Sequence, residues 1–161
     1  MTFEFMPKEK ASEILPGLFA ILAENMSVIA PTGNGYEEDL AEFMANVLPA
    51  VQKPRRQIII IRDGEKTAGY FQYFVNETTF MMEEIQFRAE YRGTGLFKRL
   101  YSFLVTVIPE NTPYVEAYAN RKNARSIAIL GHLGLEPVGE NGSGSCLHFR
   151  GEYAKILEKY S

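Results

Sequence analysis

The sequence contains little cysteine and histidine, and these shortages exclude several kinds of protein. Its single cysteine, Cys146, has no partner for an internal disulfide, which indicates a reducing compartment. Its two histidines, His132 and His148, match no metal-ligand spacing, so we expect no metal site. We expect packing or surface positions for both histidines and a buried apolar position for Cys146.

Long apolar runs and a strong positive charge are also missing. No uninterrupted apolar run of 18 residues is present, and the first five residues lack the basic start and apolar stretch of a signal peptide. The net charge of −3 argues against nucleic acid as the main partner, because phosphate binding depends on clustered lysine and arginine. We therefore expect a cytoplasmic protein that binds neither a membrane nor nucleic acid.

The chain has the length and composition of one globular domain. Its 161 residues are 46% hydrophobic and 23% charged, and they contain no internal repeat, low-complexity tract or linker. A chain of this length buries roughly 70% of the surface that its unfolded form exposes, so a core without disulfides or metal is feasible. We predict a single domain over residues 1–161.

Hydrophobic periodicity and turn residues predict the element order. The predicted helices are Ser12–Asn25, Tyr36–Leu48, a helix between Gly95 and Pro109, Asn123–Leu133 and Glu152–Tyr160. The predicted strands are Gln57–Arg62, Thr67–Val75, Thr79–Phe87, Tyr114–Ala119, Leu135–Val138 and Cys146–Phe149. We expect Ser12 to cap the first helix, Pro16 to lie in its first turn and Pro49 to end the second helix. This order predicts an α+β sandwich with a mixed, mostly antiparallel central sheet flanked by helices.

The segment from Glu83 to Lys98 is the most informative for function, because a strand there enters a glycine-containing turn that opens a helix. Glycine lets the backbone approach a ligand closely, and the N–H groups at a helix start attract anions. Arg92 and Lys98 add positive charge, so a pyrophosphate is the expected ligand. A Walker loop and a dinucleotide fingerprint do not fit, because Gly-Lys-Ser/Thr and a third glycine are missing. A plain helix-capping turn is the alternative interpretation.

Two motifs resemble those of a known family. The segment Glu90–Leu96 resembles the coenzyme A signature of the GNAT superfamily of N-acetyltransferases, Arg/Gln-x-x-Gly-x-Gly/Ala. Further along, Glu116–Ser126 is similar to the second motif of that superfamily, a strand that leads to Asn-x-x-Ser/Ala. Gly134-Leu135 falls where the family has Gly-Phe, and the predicted element order resembles the family's over nearly the whole chain.

The resemblance implies an acyltransferase that moves an acetyl group from acetyl-CoA to a primary amine of a small molecule or peptide by direct attack. Backbone groups of Ile85, Gln86 and Phe87 would hold the pantetheine arm and the acetyl carbonyl. Asn123 and Ser126 would reach the pantetheine or the thiol. The turn that would hold the pyrophosphate consists of Arg92, Gly93, Thr94, Gly95, Leu96, Phe97 and Lys98.

The sequence departs from the family pattern at two positions. Phe97 replaces the last Gly/Ala of the signature, so its ring either points toward the core or narrows the site. Leu130 replaces the tyrosine that many members use to protonate the leaving thiolate. The Ser126 hydroxyl is the best candidate to stabilise that thiolate instead, although it could merely cap or pack. These departures support an alternative function, a catalytically degenerate coenzyme-A-binding domain with a regulatory or assembly role.

Direct transfer also needs a base, because an alkyl amine with a pKa near ~10 is almost fully protonated at neutral pH. Glu83 and Glu84 precede the turn on opposite faces of one strand, and we favour Glu84. Glu116 is a third candidate, and a polar rim without catalytic role is the alternative for the first two. The loop at 30–36, the first two helices and the loop at 139–144 are expected to select the acceptor. The sequence leaves open the identity of the acceptor, the use of acyl chains other than acetyl, and whether the protein is a monomer or a homodimer.

Overall fold

The computed structural model describes all 161 residues, which form five helices and seven strands. The helices are α1 (Ala11–Ile29), α2 (Tyr36–Ala50), α3 (Leu96–Val107), α4 (Ala124–His132) and α5 (Tyr153–Tyr160). The strands are β1 (Thr2–Phe5), β2 (Arg56–Asp63), β3 (Lys66–Val75), β4 (Thr79–Phe87), β5 (Tyr114–Asn120), β6 (Glu136–Glu140) and β7 (Cys146–Glu152). Short 3-10 turns lie at Lys8–Lys10 and Ala89–Tyr91.

All seven strands belong to one sheet with the order β1-β2-β3-β4-β5-β7-β6. Strand β4 pairs in parallel with β5, whereas the pairs β1–β2, β5–β7 and β6–β7 are antiparallel. The predicted α+β fold with a mixed sheet is confirmed. Strand β1 was not predicted, because its four residues are too few to show a period. Its pairing partner is also more than 50 residues away, since Phe3 lies opposite Ile61.

The chain divides into two compact units. The N-terminal unit comprises residues 1–72 and 84–92, and the C-terminal unit comprises residues 73–83 and 93–161. Strands β3 and β4 each contribute residues to both units. The prediction of a single domain over residues 1–161 stays a prediction.

Helices α1 and α2 and strand β2 build the core of the N-terminal unit. Leu15 and Leu18 of α1 pack with Ile58 and Ile60 of β2 and with Tyr70 of β3. The four consecutive isoleucines of β2 are all at most 2% exposed, as expected for a strand that is buried on both faces. One apolar stripe of α1 and the face of β2 that carries Ile58 and Ile60 therefore hold this core together.

The start of α1 and the end of α2 differ from the sequence prediction. Helix α1 begins at Ala11 directly after a 3-10 turn and has no side-chain cap, so Ser12 is not its N-cap. Pro16 consequently lies in the second turn, where its missing N–H leaves the Ser12 carbonyl without a helical donor. Helix α2 continues one residue past Pro49. Helix α1 therefore begins before the predicted start, and helix α2 ends after the predicted end.

Helix α1 passes a simple test for a membrane span. Residues Lys8–Ile29 are long enough, and the mean hydropathy of 1.3 over an 18-residue window within them is high enough, to cross a membrane by length and composition. The same residues also include an apolar stripe, with Leu15 and Ile21 fully buried in the protein. A helix that packs one stripe in a protein core passes this test as well, so the finding is weak evidence for a membrane.

Helix α3 and strand β5 supply the core of the C-terminal unit. Leu96, Leu100 and Leu104 recur along one side of α3 and are at most 2% exposed. Strand β5 alternates, with Val115, Ala117 and Ala119 buried, as period-two packing requires. Edge-to-face ring pairs join Tyr73 to Phe80 and Phe80 to Tyr153, with centroid distances of 5.6 and 5.9 Å.

Candidate functional site

The glycine turn before α3 has the backbone geometry of an anion site. Gly93 and Gly95 have φ angles of 75° and 82°, a left-handed conformation that other residues rarely adopt. An added Cβ at either position would meet no atom within 4 Å, so open space lies beside both glycines. Gly95 is the N-cap of α3, and no side chain caps this helix. The N–H groups of the first helical turn are therefore available to a ligand.

These features fit the pyrophosphate of coenzyme A. The α3 dipole favours negative charge at this end of the helix, and Lys98 is exposed in the first turn. Gly93, Thr94 and Gly95 are also exposed, whereas Leu96 turns into the core. A plain capping turn stays the alternative interpretation, since α1, α2 and α5 also begin without a side-chain cap.

Arg92, the other predicted phosphate ligand, contacts helix α1. Its Nη2 donates to the Oδ1 of Asn25 at 2.6 Å. Asn25 itself is 8% exposed and lies on the buried stripe of α1, seven residues after Leu18. The sequence prediction missed Asn25, although a polar residue in an apolar stripe was the available signal, because a buried amide requires hydrogen-bond partners.

Asn25 is the centre of a hydrogen-bonded array that ends at the predicted base. Its Nδ2 donates to the Oε1 of Gln86 and to the carbonyl oxygen of Phe87, both at 2.9 Å. The Nε2 of Gln86 in turn donates to the Oε1 of Glu84 at 2.5 Å. The guanidinium of Arg92 can only donate, and the ionised carboxylate of Glu84 can only accept. These two groups therefore fix the orientation of the Asn25 and Gln86 amides that lie between them. The array holds the Glu84 carboxylate in one direction.

The backbone of Gln86 also packs closely against strand β3. A Cβ on Gly69 of β3 would lie 2.2 Å from the Gln86 carbonyl oxygen, so only glycine permits this close approach. The Gln86 side chain is 8% exposed, and Ile85 and Phe87 are half-buried. The backbone roles of Ile85, Gln86 and Phe87 toward pantetheine stay predictions, and the Phe87 carbonyl already accepts from Asn25.

Tyr70 adds a buried phenol next to this array. Its ring is fully buried, and its hydroxyl has no hydrogen-bond partner. Burial raises the pKa of Tyr70 well above its usual value, and the nearby negative charge of Glu84 raises it further. The phenol therefore stays neutral at all physiological pH values.

Known structures resemble the chain over almost its whole length, whereas no family model and no curated protein matches its sequence. An acetyltransferase from Thermus thermophilus is 15% identical, with 94% of this chain and 97% of that chain covered and a TM-score of 0.71. The PaiA N-acetyltransferase from Thermoplasma acidophilum, in complex with coenzyme A, is 12% identical, with coverages of 95% and 100% and a TM-score of 0.69. The ribosomal-protein-S18-alanine N-acetyltransferase from Escherichia coli is 16% identical, with coverages of 94% and 92% and a TM-score of 0.62. The chain has the GNAT fold.

The second GNAT-like motif forms the start of α4. The Oδ1 of Asn123 accepts from the backbone N–H of Ser126 at 3.1 Å, so Asn123 is the N-cap of this helix. The half-buried Ser126 is bound through its backbone, and its hydroxyl makes no hydrogen bond within the protein. Leu130, at the position of the usual GNAT tyrosine, is 7% exposed and packs into the unit.

Phe97, the second departure from the GNAT signature, packs against other aromatic rings. Its ring stacks on Tyr101 with a centroid distance of 4.5 Å and an interplanar angle of 29°, and it meets Tyr160 edge-on at 6.4 Å. Tyr101 and Tyr160 also contact each other at 5.4 Å. Of the two expectations for Phe97, the structure supports the inward one, because the ring contributes to this aromatic cluster.

Glu116, the third candidate base, lies in a separate cluster within the C-terminal unit. Its Oε1 lies 2.7 Å from the Nε2 of His148, and these side chains are only 15% and 24% exposed. Tyr118 stacks on His148 with a centroid distance of 4.5 Å and an angle of 11°. A packing or surface position was expected for His148 from the sequence, and its pairing with Glu116 was missed because it depends on the cross-strand register of β5 and β7.

Proposed function

We propose that the chain is an N-acetyltransferase that transfers an acetyl group from acetyl-CoA to a primary amine of a small molecule or peptide. The observation that carries this proposal is the turn with left-handed Gly93 and Gly95 that opens the uncapped helix α3 in a GNAT fold. A neighbour of the same fold is a complex with coenzyme A. Other neighbours are named for amine acceptors, spermidine and a ribosomal-protein alanine.

In this proposal the first turn of α3 binds the coenzyme's phosphates through its N–H groups, and Lys98 adds charge. Thr94 and the two glycines give the backbone access to the phosphate oxygens. The backbone at the end of β4, Ile85–Phe87, holds the pantetheine arm, and Asn123 and Ser126 lie toward the thiol. Acetyl-CoA serves as the acyl donor and is a co-substrate.

The reaction is a single acyl transfer. The nitrogen lone pair of a neutral amine attacks the thioester carbonyl carbon, an N–C bond forms, and the C–S bond breaks with its electron pair on sulfur. The amine nitrogen loses a proton to the Glu84 carboxylate, directly or through one water. The products are the N-acetylated acceptor and coenzyme A thiolate, which takes up a proton from solvent. The hydroxyl of Ser126, free of other partners, donates to the developing thiolate in place of the missing tyrosine.

Glu84 is a better base than Glu83 in this proposal because of the array that holds it. Gln86 donates to one carboxylate oxygen, and Asn25 holds Gln86 in place. A fixed base needs less reorganisation before proton transfer than a mobile one. Asn25 and Gln86 act in this proposal as positioning residues for Glu84.

The test combines calorimetry of coenzyme A binding with an assay of thiol release from acetyl-CoA in the presence of an amine panel. We expect binding, release with at least one amine, and a turnover reduced on the order of 10²-fold or more in Glu84→Gln. Glu83→Gln is the matched control on the same strand and should retain most activity. The acidic limb of the pH–rate profile should disappear in Glu84→Gln alone. Coenzyme binding without release for any amine would support the degenerate, regulatory alternative.

A further inference from the structure

Three aromatic rings join the beginning of α3 to the last turn of α5. Phe97 stacks on Tyr101 with a centroid distance of 4.5 Å, and Tyr160 of α5 meets these two rings at 6.4 and 5.4 Å. Aromatic pairs attract each other at such distances. Tyr101 is 1% exposed, and its hydroxyl donates to the Sδ of Met82 at 3.0 Å, so the ring beside Phe97 is fixed to β4. The mechanism above gives this aromatic cluster no role.

The position of Phe97 within α3 connects the cluster to the proposed phosphate site. The first hydrogen bond of the helix runs from the N–H of Arg99 to the carbonyl oxygen of Gly95 at 3.2 Å. The N–H groups of Leu96, Phe97 and Lys98 therefore precede the regular helical hydrogen bonds. A Phe97 ring that is held by two other rings restrains its own Cα, and with it the direction of these N–H groups.

The turn benefits from such a restraint because its glycines permit other conformations. Gly93 and Gly95 both have left-handed φ angles, and glycine adopts positive and negative φ angles about equally well. No side chain caps α3. A turn that became ordered only when a ligand arrived would bind more weakly, because ordering opposes association.

Helix α5 is anchored independently of Tyr160. Tyr153 and Ile156 are at most 1% exposed, and the Tyr153 ring meets Phe80 of β4 edge-on at 5.9 Å. Tyr153, Ile156 and Tyr160 have the spacing i, i+3, i+7 and share one face of the helix. Two residues of this face therefore keep α5 in place when the ring of the third is removed.

We propose that Tyr160 is a positioning residue for the coenzyme. Its ring, through Phe97, holds the first turn of α3 with the N–H groups directed at the phosphates. The inference rests on the coenzyme site of the proposed function, and it is independent of the acceptor and of the base. The last turn of α5 thereby contributes to coenzyme binding through Phe97.

The test is calorimetry of coenzyme A binding to Tyr160→Ala and Tyr160→Phe. Tyr160→Ala should bind coenzyme A roughly three- to tenfold more weakly, as expected for the loss of one aromatic pair. Tyr160→Phe keeps the ring and should bind it as the parent protein does. Tyr114→Ala is the matched control, because it removes the same side chain from an exposed position on β5 and should leave the affinity unchanged.

A double-mutant cycle tests the route through Phe97. In a Phe97→Ala background, Tyr160→Ala should weaken coenzyme A binding no further, because the ring on which Tyr160 acts is gone. Thermal denaturation checks that each variant is folded at the temperature of the titration. Tyr160→Leu, which keeps an apolar side chain on this face of α5 but no ring, replaces Tyr160→Ala if that variant is unfolded and should weaken binding as well.

The acyl donor separates positioning from a general loss of structure. In Tyr160→Ala the KM for acetyl-CoA should rise by the same factor as the dissociation constant of coenzyme A. Turnover with S-acetylpantetheine, a donor without phosphates, should stay unchanged. An unchanged coenzyme A affinity, an equal loss with both donors, or an equal loss in the Phe97→Ala background would overturn the inference.

The failure of this inference and that of the proposed function are distinguishable. Amine acetylation together with an unchanged affinity of Tyr160→Ala for coenzyme A refutes the role of Tyr160 alone. Weaker coenzyme A binding by Tyr160→Ala, without acetylation of any amine by the parent protein, refutes the acetyltransferase alone. A parent protein that does not bind coenzyme A refutes both.

Discussion

Asn25 donates from its Nδ2 to the side-chain oxygen of Gln86 at 2.9 Å, and the same nitrogen donates to the Phe87 carbonyl. One buried carboxamide of α1 thus binds a side chain and the backbone at the end of β4. Gln86 also donates to Glu84, and Arg92 donates to the Oδ1 of Asn25. The contact between Asn25 and Gln86 therefore connects the predicted base to Arg92, which directly precedes the glycine turn of α3.

The first prediction concerns Asn25. Asn25→Leu has a similar size but removes both donor and acceptor, so Glu84 should lose its fixed orientation and turnover should fall roughly 10- to 100-fold. The variant also leaves the Phe87 carbonyl unpaired, at a cost of about 1–3 kcal/mol in the free energy of unfolding. Asn25→Asp keeps the contact with Arg92 but cannot donate to Gln86, and it should lose similar turnover. A variant with lower stability and an unchanged pH–rate profile would show that Asn25 is structural only.

The second prediction concerns the glycine turn before α3, which we propose binds the coenzyme. In Gly95→Val the new side chain occupies the open space beside the turn and strains a φ of 82°, so coenzyme A should bind at least roughly tenfold more weakly by calorimetry. Gly64→Val is the matched control, because Gly64 has a φ of 63° and open space in the β2–β3 hairpin. Both variants should lose stability through backbone strain. If Gly95→Val binds coenzyme A as well as Gly64→Val does, the phosphates bind elsewhere.

The third prediction concerns the leaving thiolate. Ser126→Ala should raise the activation barrier by about 1–3 kcal/mol and leave the coenzyme affinity intact, because it removes the proposed donor. Leu130→Tyr restores the usual GNAT tyrosine and should change turnover little, since a thiol with a pKa near ~8.5 leaves readily without an acid. The two variants are compared with the same acceptor. An unaffected Ser126→Ala together with a many-fold faster Leu130→Tyr would contradict this account of the thiolate.

The fourth prediction concerns the unpaired hydroxyl of Tyr70. Tyr70→Phe keeps the buried ring and removes a hydroxyl that has no partner, so the free energy of unfolding should stay the same or rise by up to about 1–3 kcal/mol. Tyr153→Phe tests the same removal of an unpaired hydroxyl in the C-terminal unit, because the hydroxyl of Tyr153 is also buried and has no partner. Chemical denaturation measures both variants. A clear loss of stability in Tyr70→Phe would mean that its hydroxyl has a partner, such as a buried water.

The fifth prediction concerns alkaline pH. Burial raises the pKa of Tyr73 and of Tyr153 to about 12, above the value of ~10 for an unfolded tyrosine. The folded state therefore holds more protons between these values, and stability that is complete below pH ~10 is lost as the pH rises toward 12. Denaturation curves from pH 8 to 12 should show this decline. Replacement of both tyrosines by phenylalanine should make the decline shallower, and an identical slope would exclude them as its cause.

Features that depend on neighbours in sequence were predictable. The turn at Gly93 and Gly95 before a helix was predicted, and β4 was predicted with the bounds that the structure has, because turn chemistry and strand period are local properties. Helix boundaries were less predictable. The 3-10 turn before Ala11 displaced the start of α1 from Ser12, although Ser12 alone would be a good cap.

Contacts between distant residues needed the folded chain. Asn25 and Gln86 are 61 residues apart, and whether a buried amide meets another amide or a cavity depends on the rotation of α1 against the sheet. The inward packing of Phe97 likewise depends on Tyr160 at the far end of the chain. A sequence specifies which residues are polar, apolar or flexible along a segment. Only the packing of segments against each other decides which side chains meet, because that packing sets the direction in which each side chain points.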